Sequence, residues 1–420
     1  MIQLIRGFRD ILPADAGVWS KIETTARQML EDFGYNEIRL PILEQTELFA
    51  RSIGENTDIV EKEMYTFADG RRGLVTLRPE ATASVVRSYI QHKMYGAEPI
   101  QKFYTIGPMF RRERPQKGRY RQFYQVDVEV FGIESPYIDA QIIFMLVALF
   151  TRLSTPDVKV HINSLGCPAC RPAFKKALID LLAGKEETLC ADCRRRCAKN
   201  PLRVLDCKVP DCRKAVKDAP SILDHLCEGC ASHFDTVKSS LTAQGVDFLI
   251  DKRLVRGLDY YTRTIFEIQT TSLGAQSAVA GGGRYDGLVE MLGGPPQPAI
   301  GFAIGMDRLV EILAQKEEDL GRKSALLIIG SGDRARALTH GWSCELGLAG
   351  VRADMDYGDR SVKSLMKRAG KTGVGYVLIA GDAEIEEDAI ILRNMKTRQQ
   401  ETLPLEGLAK AVASRVLAKG

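Results

Sequence analysis

Four arginines have the chemistry needed to bind a phosphorylated ligand: Arg111, Arg119, Arg256 and Arg308. A guanidinium group stays charged and can hold two phosphate oxygens at once. The sequence contains no glycine-lysine-serine phosphate loop and no dinucleotide-binding glycine fingerprint after a strand. A nucleotide would therefore have to be held by arginines on a rigid sheet. A single arginine of this kind is more often a surface residue, so the surrounding segments must show whether these arginines bind phosphate.

Residues 102–131 read as two strands joined by a charged loop around Pro115 to Gly118. Arg111 and Glu113 then fall on a common face, two residues apart. The second strand has an apolar face and a polar face, and the polar face carries Gln125, Asp127 and Glu129. This alternation predicts a half-buried antiparallel sheet. Its polar face is either washed by solvent or the floor of a polar site.

The segment between these strands is unusually basic. Residues 111–121 hold six basic side chains and one acidic one. That density is compatible with a nucleic-acid contact and equally with a solvated hairpin tip. Charge alone does not choose between them.

Nine of the ten cysteines lie between Cys167 and Cys230. An expected cytoplasmic location disfavours disulfides, which leaves reduced thiols or metal ligands. The spacing predicts two zinc sites of four thiolates each. The first would use Cys167, Cys170, Cys190 and Cys193, and the second Cys207, Cys212, Cys227 and Cys230, with Cys197 left over. Small buried thiols in a reducing environment are the alternative.

The composition is that of a globular protein. The chain has 420 residues, of which 45% are hydrophobic and 27% charged, which predicts two to three domains. The longest apolar run, 142–150, is far shorter than the ~20 residues that cross a bilayer. Arg6 follows the first residues at once and leaves no signal-peptide core, so we expect a cytoplasmic protein. The net charge of +4 means that a nucleic acid would need a local basic surface.

Composition changes divide the chain into four segments. We expect a core in two parts, 1–166 and 246–322, interrupted by a cysteine-rich insertion at 167–245 and followed by a small α/β domain at 323–420. A charged linker at 315–323 precedes that domain.

Hydrophobic periodicity predicts the main elements. In the core we expect a helix at 20–33 that ends at Gly34, a strand at 36–43, a helix at 139–152, strand-like residues at 248–268, a glycine-rich turn at 281–287, and small residues leading into a helix at 299–313. Pro41 places its strand at an edge, a bulge or an interface. In the last domain we expect strands at 325–329, 351–355 and 376–380 alternating with helices near 334–348, 361–369 and 406–418.

Three segments resemble the signatures of the class II aminoacyl-tRNA synthetases, in the order that class shows. Residues 34–41, Gly-Tyr-Asn-Glu-Ile-Arg-Leu-Pro, resemble the first signature, a dimer-interface segment ending in proline. Residues 110–113, Phe-Arg-Arg-Glu, resemble the second. Residues 301–309, Gly-Phe-Ala-Ile-Gly-Met-Asp-Arg-Leu, resemble the third.

Further blocks resemble the histidyl-tRNA synthetases in particular. They are Leu254-Val-Arg-Gly-Leu-Asp-Tyr-Tyr261, Ala280-Gly-Gly-Gly-Arg-Tyr-Asp-Gly-Leu288, Leu77-Arg-Pro-Glu-Ala-Thr82 and residues 114–123. The resemblance implies an α+β fold: an antiparallel-sheet class II catalytic core, a helical cysteine-rich insertion and a C-terminal α/β anticodon-binding domain. It implies an enzyme that activates histidine with ATP and Mg²⁺ and transfers it to the 3′ end of its tRNA.

The same resemblance assigns roles to individual residues. Arg111 and Arg256 would be catalytic and approach the α-phosphate from two sides. ATP would be bound by Arg111, Glu113, Arg119 and Arg308. Histidine would be bound by Glu80, Ala81, Thr82, Arg111, Gln125, Glu129, Arg256, Tyr260 and Tyr261, with Tyr285 nearby. Gln116 and Lys117 would meet the acceptor end of the tRNA.

Two alternatives remain open. A synthetase-like regulatory subunit of histidine biosynthesis would resemble the core but typically lacks the terminal domain and the arginine block around Arg256. A nucleic-acid-binding module without catalysis would leave Glu80, Gln125 and Glu129 unexplained. The resemblance favours a homodimer without membrane attachment. The family's insertion generally contacts tRNA without needing metal, so structural Zn²⁺ stays an open expectation.

Overall fold

A computed structural model describes the chain except for residues 55–56, 71–72, 97, 117, 272–277, 315–323, 359 and 419–420, and the side chains of 198 and 199. The chain divides into two compact units, Met1–Asp319 and Leu320–Gly420. The predicted linker at 315–323 lies outside the described residues, as does Lys117. Among the described residues, no helix combines the length and apolar character needed to cross a membrane.

The first unit contains both strands and helices. The strands are β1 (Asn36–Glu37), β2 (Leu43–Gln45), β3 (Tyr65–Ala68), β4 (Leu74–Leu77), β5 (Gln101–Phe110), β6 (Gln122–Phe131), β7 (Val158–Ser164), β8 (Phe248–Ile250), β9 (Thr262–Thr270), β10 (Ala278–Arg284) and β11 (Ala299–Gly305). The helices are α1 (Pro13–Asp32), α2 (Thr46–Ile53), α3 (Thr82–Gln91), α4 (Pro136–Arg152), α5 (Arg171–Leu182), α6 (Ala191–Lys199), α7 (Pro210–Ala215), α8 (Glu228–Ala243), α9 (Leu288–Met291) and α10 (Met306–Leu313).

Within the described residues, eight strands form one sheet in the order β1-β5-β6-β11-β10-β9-β7-β8. The six inner strands pair antiparallel, whereas β1 and β8 at the two edges pair parallel to their neighbours. The predicted pair at 102–131 is confirmed as β5 and β6, and the helix at 139–152 as α4. Strands β2, β4 and β3 form a separate small sheet. The predicted α+β fold with an antiparallel core is therefore confirmed.

Helix α1 shows why the sequence prediction worked. Its buried stripe includes Ile22, Ala26, Met29 and Leu30, the residues whose three- and four-residue spacing predicted it. The helix starts earlier than expected, at Pro13, because proline suits the first turn, where its missing N–H has no helical partner. Gly34 follows with φ +81°, a conformation that glycine adopts without strain.

Two expected elements are wrong in part. The strand predicted at 36–43 is split: β1 lies at the edge of the large sheet, and β2 begins only after Pro41, in the small sheet. The edge position that Pro41 predicted is thus right for β1. The turn predicted at 281–287 is instead the end of β10, a central strand. A Cβ on Gly282 would lie 2.0 Å from the carbonyl oxygen of Gly301 on β11, so glycine permits this close approach of backbones.

The cysteine-rich insertion is helical, as predicted. Helices α5, α6 and α7 and short 3₁₀ turns surround a small core of its own, formed mainly by Phe174, Leu178, Leu182, Val204 and Ile222 together with three buried cysteines. The long helix α8 then returns the chain to the large sheet, where β8 pairs with β7.

The second unit is an α/β domain, again as predicted. Its strands are β12 (Leu326–Ser331), β13 (Ala353–Met355), β14 (Tyr376–Gly381), β15 (Ile390–Asn394) and β16 (Gln400–Leu403), and its helices α11 (Asp333–Leu348), α12 (Val362–Thr372), α13 (Asp382–Glu386) and α14 (Leu408–Leu417). The sheet order is β13-β12-β14-β15-β16. The first three strands pair parallel and the last two antiparallel. Strands β15 and β16 were not predicted.

A fully buried ion cluster ties α4 and α8 to the end of β10. The guanidinium of Arg284 lies 2.8 Å from Asp139 Oδ1, and both side chains are 0% exposed. Asp139 Oδ2 also lies 2.8 Å from Nε2 of His233. Nη2 of Arg284 also contacts three carbonyl oxygens before α4, each at 3.0 Å, and Nη1 lies 3.2 Å from Asp286 Oδ1. Arg284 is therefore structural, although it lies inside a block that resembles a family signature.

Replacing Asp139 by alanine is expected to destabilise the first unit by about 3–5 kcal/mol, because it removes the fully buried counter-charge of Arg284 and leaves only the partly exposed Asp286 at 3.2 Å. The midpoint of urea unfolding, followed by far-UV circular dichroism, measures the loss. Asp235→Ala on α8 is the matched control, since its 2.6 Å pair with Lys238 is exposed and should contribute less than about 1 kcal/mol. Equal midpoint shifts in the two variants would contradict the prediction.

Candidate active site

A cavity of about 300 Å³ lies over the polar face of the large sheet. Strands β6, β11, β10 and β9 supply its floor, and the segments 78–82, 111–119 and 256–261 contribute to its walls. Three floor positions are glycines: Gly281, Gly301 and Gly305. Because glycine has no side chain, the floor can receive a ligand or a neighbouring side chain close to the backbone.

Arg111 and Arg256, the two arginines predicted to be catalytic, both line this cavity. Arg111 follows the end of β5, its Nε donates to the carbonyl oxygen of Pro79 at 2.9 Å, and its guanidinium stacks 5.2 Å from the ring centre of Phe123. Arg256 Nη1 lies 2.8 Å from Glu267 Oε2 on β9. These contacts hold both guanidinium groups in place before any ligand arrives, which is the preorganisation that charge stabilisation requires.

Arg256 lies against Gly281 of β10, and this contact is possible only because glycine has no side chain. A Cβ on Gly281 would lie 2.5 Å from Arg256 Nη1, closer than real Cβ atoms come to other atoms. The glycine block at 281–283 therefore makes room for a guanidinium that comes from another segment. The segment around Arg256 and the glycine block are therefore in close contact.

The other predicted ATP ligands line the same cavity. Arg119 Nη1 pairs with Glu113 Oε2 at 3.1 Å, and Arg308 on α10 donates to the carbonyl oxygens of Gly118 and Ala278. Burial lowers the pKa of Arg308, and the positive charge of Arg119 lowers it further. Neighbouring guanidinium groups that repel one another favour a polyanion between them.

Three buried carboxyl groups accompany the arginines. Glu80, Asp127 and Glu129 are 4%, 2% and 2% exposed. Burial raises the pKa of all three, and Glu80 raises those of Asp127 and Glu129 further. Buried carboxylates of this kind favour a cationic ligand, which would offset the cost of their ionisation.

Backbone and hydroxyl donors fix these carboxyl groups. Glu80 accepts from the backbone N–H groups of Thr82 at 2.8 Å and Ala83 at 2.9 Å, at the start of α3. Glu129 accepts from Thr82 Oγ1 at 2.6 Å and from the hydroxyl of Tyr285. Rotamers held by two partners each give the site a defined geometry.

Most of the predicted histidine ligands come together in the cavity. Glu80, Thr82, Gln125, Tyr260 and Tyr261 line it directly. Ala81 and Glu129 do not belong to the lining: Ala81 is a buried cap residue of α3, and Glu129 lies behind Thr82 and Tyr285, which do line it. Arg111 and Glu113 lie just beyond the end of β5 and not within a strand, yet both still line the cavity.

Sequence reasoning did not assign Asp127 or Glu267 to the site, although both line it. Asp127 lies on the polar face that the alternation of β6 predicted, so its position was available but its burial was not. Glu267 could have been found in the same way, because it is the acid between the buried residues Phe266 and Ile268 of β9.

The eight clustered cysteines form two groups of four, but not the predicted groups. The outer cluster consists of Cys167, Cys170, Cys227 and Cys230, and the inner cluster of Cys190, Cys193, Cys207 and Cys212. In each, the four sulfur atoms lie within 4.8 Å of one another. The pairing predicted from chain order is therefore wrong. The start of helix α8 carries the last pair of cysteines to the first pair, and the two middle pairs meet each other.

An antiparallel sheet that presents arginines to a cavity, followed in the chain by an α/β domain, is the fold that the resemblance to class II aminoacyl-tRNA synthetases implied. A family model described as histidyl-tRNA synthetase matches residues 7–309, and one described as anticodon binding domain matches 325–415. The chain belongs to the histidyl-tRNA synthetase family.

Known relatives agree over the full length. A histidine–tRNA ligase of Desulforapulum autotrophicum is 64% identical and covers 97% of this chain and 96% of the relative. One of Desulfatibacillum aliphaticivorans is 59% identical and covers 99% of both. The solved structure of apo histidyl-tRNA synthetase from Staphylococcus aureus is 37% identical, with a TM-score of 0.83, and covers 98% of this chain and 100% of that one.

Proposed function

We propose that the chain is a histidine–tRNA ligase whose cavity joins histidine to ATP and then transfers the histidyl group to tRNA. The observation that supports this most directly is that Arg111 and Arg256 line one cavity with the buried carboxyl group of Glu80. Phosphate binders and acceptors for an ammonium group are the two sets of contacts that such a reaction needs.

In the first step, the carboxylate of histidine attacks the α-phosphorus of ATP. The bond from that phosphorus to the oxygen bridging the β-phosphate breaks, and pyrophosphate leaves with the electron pair. Arg111 and Arg256 stabilise the negative charge that develops on the phosphoryl oxygens. Arg119, Arg308 and Glu113 hold the rest of the nucleotide, and Mg²⁺ enters with ATP as part of the substrate.

Selection of histidine requires polar partners for two groups. Glu80, Thr82 and Gln125 receive the ammonium group, and Glu129 with Tyr261 receives the imidazole, beside Tyr260. A carboxylate has about four lone-pair sites, and two hydrogen bonds to Glu129 are already present. Although Glu129 lies behind Thr82 and Tyr285, its carboxylate therefore has the capacity to accept an imidazole N–H that reaches between them. An amino acid without that group would leave buried polar atoms unpaired, which discriminates strongly.

In the second step, a hydroxyl of the terminal ribose of tRNA attacks the carbonyl carbon of the adenylate, and AMP leaves. We assign tRNA binding to the C-terminal segment 323–420 and to the loop with exposed Gln116, and catalysis to segments 1–166 and 246–322. The insertion at 167–245 supplies no residue of this chemistry. Its clustered thiols fit a structural metal and not a catalytic one.

We also propose a homodimer. Strand β1 exposes one edge of the large sheet, and the nearby side chains of Ile42, Leu43 and Ile100 are 43%, 45% and 49% exposed. Exposed apolar side chains next to a free sheet edge favour association with a second copy. Sedimentation equilibrium should give twice the mass of one chain, and a single-chain mass at micromolar concentration would contradict the proposal.

A regulatory subunit without ligase activity is the alternative. Arg256 within the cavity and the presence of the α/β domain both favour the enzyme. Histidine-dependent exchange of labelled pyrophosphate into ATP tests the choice. We expect exchange with histidine and not with the other amino acids. Exchange driven by another amino acid would contradict the specificity, and no exchange with any amino acid would favour the regulatory subunit.

Replacing Arg119 by alanine is expected to raise the KM for ATP about 10–100-fold, because a charge-assisted contact to phosphate contributes roughly 1.5–3 kcal/mol. The KM for histidine should stay within twofold. Arg112→Ala is the matched control, since Arg112 is an exposed arginine of the same loop outside the cavity. Equal ATP KM values in the two variants would remove Arg119 from the nucleotide site.

A further inference from the structure

The two cysteine clusters have the dimensions of zinc–thiolate tetrahedra. Zinc–sulfur bonds of about 2.3 Å place the sulfur atoms of a tetrahedral site about 3.8 Å apart. In the outer cluster, Cys167 Sγ lies 3.6 Å from Cys170 Sγ and 3.9 Å from Cys227 Sγ. In the inner cluster, Cys190 Sγ lies 3.9 Å from Cys207 Sγ. All eight residues are free cysteines, so no disulfide accounts for these distances.

We propose that the insertion binds two structural Zn²⁺ ions, one in each cluster, and that together they brace the segment 256–261 of the active site from behind. The proposal that the insertion binds zinc does not depend on the proposed function. The proposal that the zinc sites hold segment 256–261 in place rests on that function, because its effect is measured as histidine activation.

Simple packing of buried thiols does not account for the arrangement. Packing would mix sulfur with carbon neighbours in any number, whereas these thiols form two closed groups of four. Cys227 is exposed and Cys167 is half-buried, so burial does not explain their convergence either. Four thiolates are the complete ligand set of a structural zinc site.

In both clusters a backbone N–H points at one of the sulfur atoms. The N–H of Cys227 donates to Cys170 Sγ at 3.1 Å, and the N–H of Cys190 donates to Cys212 Sγ at 3.2 Å. Hydrogen bonds to a sulfur ligand from the surrounding shell orient it and stabilise its charge. Both donors belong to cysteines of the same cluster, so each group is built to hold sulfur atoms together.

The insertion also has a structural need for metal. Its separate core is small, and a segment below about 80 residues commonly requires a metal or disulfides in addition to its apolar core. The outer ion would join the two ends of the insertion, and the inner ion would close the loop between them. Each ion would close a loop, the smaller inside the larger, and each closed loop lowers the conformational entropy of the unfolded chain.

An arginine close in the chain to the cysteines of each cluster contacts the segment 256–261. Arg171, directly after Cys170, donates to the carbonyl oxygen of Tyr261. Near the inner cluster, Arg203 Nη2 donates to the carbonyl oxygen of Gly257 at 2.7 Å and its Nε to Asp259 Oδ1 at 3.1 Å. Both clusters therefore support the segment that carries Arg256, from the side away from the ligand.

Helix α6 links the inner cluster to a second wall. Cys193 lies on this helix, and Arg196 of the same helix pairs with Asp58 at 2.6 Å. Asp58 precedes Ile59, which lines the cavity. Loss of the inner ion would free the start of α6 and with it these contacts.

Elemental mass spectrometry of the full-length protein, purified without added metal and dialysed, tests the ions. We expect two zinc ions per chain, one after Cys193→Ser or Cys230→Ser, and two after the control substitutions Cys197→Ser and Cys344→Ser. Fewer than half an ion per wild-type chain overturns the proposal, a single ion overturns the two-site assignment, and two ions retained in Cys193→Ser overturn the inner site. The wild-type count does not depend on whether a variant folds.

Pyrophosphate exchange tests the bracing. Cys193→Ser should lower kcat/KM for histidine about 10–100-fold, mainly through KM, because small displacements of positioning groups are costly, whereas Cys197→Ser on the same helix should not. A variant that loses one ion with unchanged histidine kinetics overturns the bracing. A wild-type protein with two ions and no histidine-dependent exchange overturns the proposed function and leaves the ions in place.

Discussion

Replacing Arg256 by alanine is expected to lower histidine-dependent pyrophosphate exchange about 100–1,000-fold, the loss typical for a preorganised group that stabilises transition-state charge. Arg256 lines the cavity, is paired with Glu267 at 2.8 Å and lies over the Tyr261 ring. Its position therefore needs no rearrangement when the α-phosphorus becomes more negative. The effect should fall mainly on kcat, because the added charge develops in the transition state.

Two further variants test whether the loss of exchange activity is specific to the guanidinium group of Arg256. Arg253→Ala removes an exposed arginine three residues earlier, whose contact is the carbonyl oxygen of Lys217, and should leave exchange within twofold of the unmodified protein. Arg256→Lys keeps the charge but not the planar fork of donors, so it should recover only part of the activity. If Arg256→Ala retains more than a tenth of the exchange rate, the catalytic role proposed for Arg256 is wrong.

The hairpin β5–β6 was predictable because alternation with a period of two is a local property of the sequence. The polar face of β6 was found in this way. Its burial was not, because Thr82 and Tyr285, which cover Glu129, come from distant segments. A periodic pattern shows which side chains share a face, but it does not show what packs against that face.

The glycine block shows the opposite kind of error. Three consecutive glycines locally favour a turn, yet they form a central strand here. The reason is long-range: Gly281 leaves room for Arg256, and Gly282 lets β10 approach β11. The resemblance assigned the glycine block and the block around Arg256 to one family. The contact between Gly281 and Arg256 is visible only in the structure.

The cysteine pairs show a third limit. A spacing of two residues places two thiols at one site, but it carries no information about which pairs meet. The prediction from chain order joined pairs that are neighbours in the sequence, whereas the return of α8 to the large sheet joins the first pair to the last.

Arg284 shows a similar limit of the sequence. It lies in a block that resembles a family signature, yet its side chain belongs to a buried ion cluster and does not line the cavity.

The buried carboxyl groups imply a dependence on pH that the arginines do not. Burial raises the pKa of Glu80 and Glu129, so each binds its proton more tightly in the folded protein than in the unfolded chain. Their contribution to folding stability is therefore fully present below the unfolded pKa and is lost as pH rises through the folded value. A bound ammonium or imidazole group offsets that loss, so histidine should stabilise the protein most where these groups are ionised.

Replacing Glu129 by glutamine is expected to raise the KM for histidine about 100-fold while the KM for ATP stays within twofold. The two side chains have the same shape, so packing around Thr82 and Tyr285 is kept. The carboxamide, however, has one acceptor oxygen where the carboxylate had two, and both present partners donate to Glu129. One of those donors, or the imidazole N–H, is then left without an acceptor in a buried site, which costs roughly 1–3 kcal/mol.

The matched control is Glu134→Gln, three residues beyond the end of β6, where the side chain is 74% exposed and pairs with Arg263 at 3.3 Å. It should leave both KM values unchanged. Steady-state exchange at several histidine and ATP concentrations separates the two constants, and an unchanged urea midpoint shows that the variant is folded. If Glu129→Gln raises both KM values equally, Glu129 acts through the general shape of the site. If it raises neither, imidazole recognition must be assigned to Tyr261 and its neighbours, because selection of histidine requires an acceptor that this substitution would then have left intact.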